Sequence, residues 1–143
     1  MTAAVADARL CLPATAESVA VARQLVAGIC DALDVPERLA GDVKLATTEA
    51  CTNAVVHAYP DGARSMDVEV FVRQEELIVI VRDHGVGIAP RTGPRGLGLG
   101  LPLIAALCSR VAIQEAPGGG TEVVMTFALD GDEADGDDEG TPP

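Results

Sequence analysis

Apolar residues recur along this chain with two periods, and the switches between them mark eight predicted elements. Residues 8–12 form a short strand that stops at Pro13. From Glu17 to Leu33 the apolar positions Val19, Ala22, Val26, Ile29 and Leu33 return near helical spacing, which predicts a helix. Asp34-Val35-Pro36-Glu37 then reads as the start of a second helix, with Asp34 as cap, Pro36 in the first turn and Glu37 three residues on. That helix runs to about Ala58, where Tyr59-Pro60-Asp61-Gly62 cannot continue it.

Beyond this point the period falls to two. Met66, Val68, Val70 and Val72 alternate with Asp67, Glu69, Phe71 and Arg73, a strand with one wet face. Gln74-Glu75 is a hairpin turn into Leu77–Val81, which is apolar throughout and reads as a central strand. A helix over Leu101–Ser109 comes next, then two alternating strands, Val111–Glu115 and Glu122–Leu129, joined by Pro117-Gly118-Gly119-Gly120. Hairpins with helices between them predict an α+β fold: a two-layer sandwich, its mixed sheet mostly antiparallel, with helices on one face.

A chain of 143 residues holds one domain of ordinary size. Only Tyr59, Phe71 and Phe127 are aromatic, so its core must be built from Ala, Val, Leu and Ile. The net charge of −12 argues against a nucleic-acid surface, which needs clustered Lys and Arg. Seven of the 22 acidic residues and none of the ten basic ones lie from Asp130 onward, leaving 15 against ten before it, a net −5. The predicted division is therefore a folded unit over 1–129 and a disordered acidic tail over 130–143, either a solvated end or a functional one. Cys11, Cys30, Cys51 and Cys108 are widely spaced in apolar contexts, without a Cys-x-x-Cys pair, which favours reduced core thiols in a cytoplasmic protein over zinc or disulfides. No cationic leader precedes a long apolar run, and no stretch of about 18 apolar residues is present to span a membrane, so a soluble protein is expected.

Candidate chemistry begins on the second helix. At about 100° per residue Glu49, Asn53 and His57 fall within roughly 80° of one another, a polar stripe amid Ala and Val. A carboxylate beside a carboxamide offers a general base next to a neutral oxygen ligand for magnesium, a cation that takes few protein ligands. His57 fits three roles: a base, a partner of Glu49, or a residue favoured at a helix C-terminus by the dipole. Asp83-His84-Gly85-Val86-Gly87-Ile88 starts where the central strand ends; the glycines let the backbone approach a ligand, and Asp83 presents an acceptor suited to an adenine amino group, although the same segment is also a common turn. His84 is expected to be exposed. Gly96-Leu97-Gly98-Leu99-Gly100-Leu101-Pro102 feeds a glycine loop into a helix, which suits a phosphate or serves as a plain linker; Arg91 and Arg95 flank it and reach phosphate oxygens or lie solvated. It has neither the dinucleotide-binding spacing nor the Gly-Lys-Ser/Thr ending of a P-loop. The glycines at 118–120 are explained by their hairpin, which leaves Thr121 as the functional candidate there.

In order and spacing, Glu49-x-x-x-Asn53-Ala54-x-x-His57-Ala58-Tyr59, Asp83-x-Gly85-x-Gly87-Ile88, Gly98-Leu99-Gly100-Leu101 and Gly119-Gly120-Thr121 resemble the boxes of the GHKL ATPase superfamily and its Bergerat nucleotide fold. Within it, the chain is similar to the anti-sigma-factor serine kinases over about residues 8–129. The resemblance implies an ATP-dependent protein serine kinase that phosphorylates a small anti-sigma-factor antagonist and sequesters a sigma factor, acting as a homodimer with ATP and Mg2+. It implies that Glu49 is the base for the substrate serine and that Asn53 binds the magnesium. It further implies that Asp83 bonds the adenine amino group with Thr121 supporting it, that Gly85 and Gly87 line the base pocket, and that the glycines of the loop, Gly96, Gly98 and Gly100, hold phosphates. The nine residues between Ile88 and Gly98, broken by Pro90 and Pro94, make a short lid, which favours an alternative: a non-enzymatic nucleotide-binding module that sequesters its partner. A detached domain of a sensor histidine kinase ranks last, because only about a dozen residues precede the first helix, too few for a phosphoacceptor hairpin.

Overall fold

Local chemistry sets where each element starts and stops. The computed structural model describes residues 6–57, 65–84 and 100–129. In chain order these form β1 (Ala8–Pro13), α1 (Ala16–Ala32), α2 (Glu37–His57), β2 (Ser65–Val72), β3 (Glu76–Asp83), α3 (Gly100–Leu107), β4 (Arg110–Glu115) and β5 (Thr121–Ala128). Thr15 caps α1: its backbone is extended and its hydroxyl accepts the Ser18 N–H at 3.3 Å. At the other end, the Asp34 N–H donates to the Asp31 carbonyl at 3.1 Å and the Val35 N–H to the Cys30 carbonyl at 2.9 Å. Asp34 itself has φ 57, so these are the paired bonds of a left-handed helix stop.

That arrangement corrects one expectation. Asp34 closes α1 and does not cap α2; the first bond of α2 runs from the Ala40 N–H to the Pro36 carbonyl at 2.9 Å. A short polar side chain tolerates the left-handed conformation, and so Asp34 serves the end of one helix where the residue pattern suggested the start of the next.

The strands order β1-β2-β3-β5-β4, and all four pairings are antiparallel, so the expected sandwich is present with no parallel pair among the described strands. The apolar run at 77–81 is indeed the central strand. Its alternate residues Leu77, Val79 and Val81 join Met66, Val68 and Val70 of β2 and Val123, Met125 and Phe127 of β5 in one buried cluster. Against them lie Ala22, Val26 and Cys30 of α1, Val43, Ala46, Ala50, Cys51 and Ala54 of α2, and Ile104 of α3. Small residues on the facing helix stripes let α1 and α2 approach closely, which is how a core almost without aromatic rings fills its volume. Of the predicted α1 stripe, Ala22 and Val26 are fully buried, whereas Leu33 lies past the helix end and is 39% exposed.

The opposite face of the sheet differs from the wet face expected. Strand register places Cys11, Asp67, Arg82, Glu122 and Gln114 in one row across all five strands. Arg82 lies 3.2 Å from Glu69, 3.0 Å from Glu122 and 3.9 Å from Asp67, and Arg9 reaches Asp67 at 3.6 Å and Glu69 at 3.4 Å. Asp67 is thereby only 5% exposed. Burial works against the Arg82 charge, but its hydrogen bonds and ion pairs with Glu69 and Glu122 outweigh that and raise its pKa.

Cys30 and Cys51 are buried and Cys108 is half-buried, as expected of core thiols, but Cys11 is exposed because alternation along the edge strand β1 turns it away from the helices. Burial pushes the Cys51 thiol up to about 12, and burial together with the Asp42 charge pushes Cys108 up to about 11. A maleimide at neutral pH should therefore modify Cys11 first and Cys51 only after denaturation, as read by peptide mass mapping; Cys51 labelling in the native protein at the Cys11 rate would contradict this packing. Because the folded pKa of Cys51 is raised from 9.0, the stability linked to its neutral form is present below about pH 9 and is lost as pH rises toward 12. Among the described residues no helix is long and apolar enough to cross a membrane.

Candidate functional site

Helix α2 is the element on which the site is built. Its inner face, Val43, Ala46, Thr47, Ala50, Cys51 and Ala54, is buried, and the helix packs on β3, β5, α1 and α3. Glu49 and Asn53 lie one turn apart where that face meets the exposed residues Leu45, Thr52 and Val56, and both are half-buried. Among the described residues, neither side chain forms a hydrogen bond or ion pair. A half-buried carboxylate and carboxamide held side by side without protein partners are suited to an external ligand. His57 is the last residue of α2.

The second part of the site lies where β3 ends and β5 begins. Asp83 closes β3 on the helix-facing side, in line with Leu77, Val79 and Val81, and is 7% exposed. The Thr121 N–H donates to Asp83 Oδ1 at 3.2 Å. The contact runs through the Thr121 backbone, so the bond itself does not depend on the residue type at 121. Beside it Gly120 has φ 95, and a Cβ there would run into the Asp83 carbonyl and stand 2.8 Å from the His84 Cα. Gly120 is therefore required for a close approach of two strands as well as for its hairpin. His84 is exposed, as expected, yet its Nε2 lies 3.3 Å from Asp67 Oδ2.

Gly100 is the first residue of α3, with Pro102 in the first turn where its missing N–H is harmless. Gly85, Gly87, Gly96 and Gly98, with Arg91 and Arg95, lie outside the described residues. Among the described residues no group of three or more His, Cys, Asp or Glu side chains gathers to hold a metal. Magnesium does not need one: it keeps several waters and takes one or two protein oxygens together with phosphates, and the neutral, unpartnered Asn53 oxygen fits that demand.

Thr47, one turn before Cys51, is fully buried, and among the described residues its hydroxyl has no partner. Thr47→Val keeps the shape and removes the orphaned group, so it should stabilise the fold by about 1 kcal/mol, seen as a higher urea midpoint at unchanged slope; a lower midpoint would show that the hydroxyl is engaged.

Sequence reasoning missed Asp67 and Arg82. A signal was available, because a turn at Gln74-Glu75 that pairs Val72 with Leu77 also sets Asp67 opposite Arg82. No local signal announces the Arg82 and Glu122 pair, which depends on strands that are not consecutive.

Residues 12–127 match the family described as the histidine kinase-like ATPase domain. The chain is 33% identical over 139 residues to a protein named serine-protein kinase RsbW from Halalkalibacterium halodurans, covering 87% of this chain and 84% of that one. It is 28% identical over 129 residues to one named anti-sigma F factor from Clostridium acetobutylicum, covering 81% and 90%. Its fold is similar to a crystal structure of the RsbU and RsbW domains of Rv1364c from Mycobacterium tuberculosis, with a TM-score of 0.67 at 23% identity; the match covers 85% of this chain and spans 32% of that longer one.

Proposed function

The chain belongs to the histidine kinase-like ATPase domain family, and from that premise we propose that it is an ATP-dependent protein serine kinase that acts as an anti-sigma factor. The observation that carries this reading is the pairing of Glu49 and Asn53 on one border of α2, half-buried and unpartnered among the described residues. Relatives named as a serine-protein kinase and as an anti-sigma factor support it.

In this reading Asp83, steadied by the Thr121 N–H, accepts a hydrogen bond from the adenine amino group. Asn53 would hold a Mg2+ by its amide oxygen, and the cation would supply neutralisation of charge on the ATP phosphates. Gly100 at the start of α3, with Gly96 and Gly98 before it, offers backbone N–H groups to the phosphates, and Gly85 and Gly87 border the base. Glu49 takes the proton from the substrate serine as its Oγ bonds to the γ-phosphorus and the bond to the ADP oxygen breaks. Phosphoryl transfer needs mainly positioning and charge neutralisation, so a small set of groups on one rigid helix suffices.

The substrate is a small anti-sigma-factor antagonist, the sequestered partner is a sigma factor, the working unit is a homodimer, and the compartment is the cytoplasm. The catalytic unit is residues 1–129, with the acidic segment 130–143 outside it. The nine residues between Ile88 and Gly98, with Pro90 and Pro94 among them, favour a second reading, a module that binds nucleotide and sequesters its partner without transfer. Incubation with radiolabelled ATP, Mg2+ and candidate antagonists separates the two: serine labelling is expected, and bound ATP with no transfer to any antagonist would leave the binding module.

A further inference from the structure

Asp83 and His84 are consecutive residues at the end of β3, and strand alternation sends them to opposite faces of the sheet. Asp83 turns in toward α2, whereas His84 turns out toward the charged row. The last residue pair of the β2–β3 ladder is Met66 with Asp83, so His84 stands one residue beyond the ladder. From there its ring reaches back diagonally to Asp67, which pairs with Arg82 two residues earlier. Asp67 is a firm anchor, only 5% exposed and flanked by Arg9 at 3.6 Å and Arg82 at 3.9 Å.

On the other side of the same strand end, Gly120 presses against the Asp83 and His84 backbone and the Thr121 N–H holds the Asp83 carboxylate. The strand end is gripped from β5 by backbone and from β2 by a side-chain pair.

We infer that Asp67 and His84 are positioning residues for nucleotide recognition: their contact on the open face of the sheet fixes the strand end that aims Asp83 at the adenine amino group on the opposite face. This rests on the proposed reading of Asp83 as the adenine acceptor. Neither Asp67 nor the outer row needs to touch the nucleotide; the contact acts through one peptide unit, on a hydrogen bond whose strength falls steeply with misalignment.

The test measures calorimetric affinity for Mg2+-ATP and for purine riboside triphosphate, which lacks the exocyclic amino group, in the wild type, His84→Ala, Asp67→Asn and the double variant. His84 is exposed, so its replacement spares the core. Each single variant should bind ATP about tenfold more weakly, the share of a charge-assisted hydrogen bond, while purine riboside triphosphate affinity stays within about twofold. The double variant should be no weaker than either single one. Unchanged ATP affinity in both single variants, or equal loss for both nucleotides, overturns the positioning role. A wild type that does not prefer ATP over the purine analogue overturns the adenine reading of Asp83, and this inference with it.

Discussion

Glu49→Ala should lower serine phosphorylation by about 10²- to 10⁴-fold, the contribution of a positioned general base, while Mg2+-dependent ATP affinity stays within about twofold. The two effects separate because Glu49 and Asn53, although one turn apart on α2, have different work in the proposed reading: the carboxylate would remove a proton and the amide oxygen would hold the cation. Glu49→Gln should behave like the Ala variant in transfer and like the wild type in binding, since it keeps the volume and loses only the basic oxygen. Calorimetry alongside a radiolabel transfer assay reads both. Loss of ATP binding with Glu49 would make that residue a nucleotide ligand, and retained transfer would move the base elsewhere.

The second large effect is on stability. Arg82→Met should destabilise the fold by about 3 kcal/mol, because it leaves buried carboxylates with too little positive charge. Glu69 and Glu122 lose partners at 3.2 and 3.0 Å, and among the described residues Asp67 keeps Arg9 and His84. The Arg82 side chain is 15% exposed, so water replaces little of what is lost. For a domain of this size the melting temperature should fall by about 10 °C. Thermal melts of the variant and the wild type at pH 7 test this; an unchanged melting temperature would mean that the Arg82 pairs add nothing to stability.

Most elements were legible because their causes are local. The helical recurrence of Ala22 and Val26, the alternation from Met66 to Val70 and the apolar run at 77–81 each state a burial pattern within a few residues, and the structure buries Ala22, Val26, Met66, Val68, Val70, Leu77, Val79 and Val81. The candidate pair Glu49 and Asn53 was legible for the same reason, since four residues of helix fix their neighbourhood whatever the fold. Asp34 was misread because one residue type serves both helix starts and left-handed helix ends, and only its φ of 57 decides. Cys11 was misread because an apolar context does not say which face of an edge strand a residue takes.

The sequence by itself determined the order and kind of the described elements, the hairpin connections at 74–75 and 117–120, and the one-turn spacing of Glu49 and Asn53 on α2, all consequences of spacing along a chain with fixed helical and strand periods. Only the tertiary structure decided that β5 lies between β3 and β4, and with it that the Thr121 N–H meets Asp83, that Gly120 has no room for a side chain, and that Arg82 faces Glu122. Strand register between segments some 40 residues apart is set by how all the apolar faces close on one core, a property that no single stretch of residues carries.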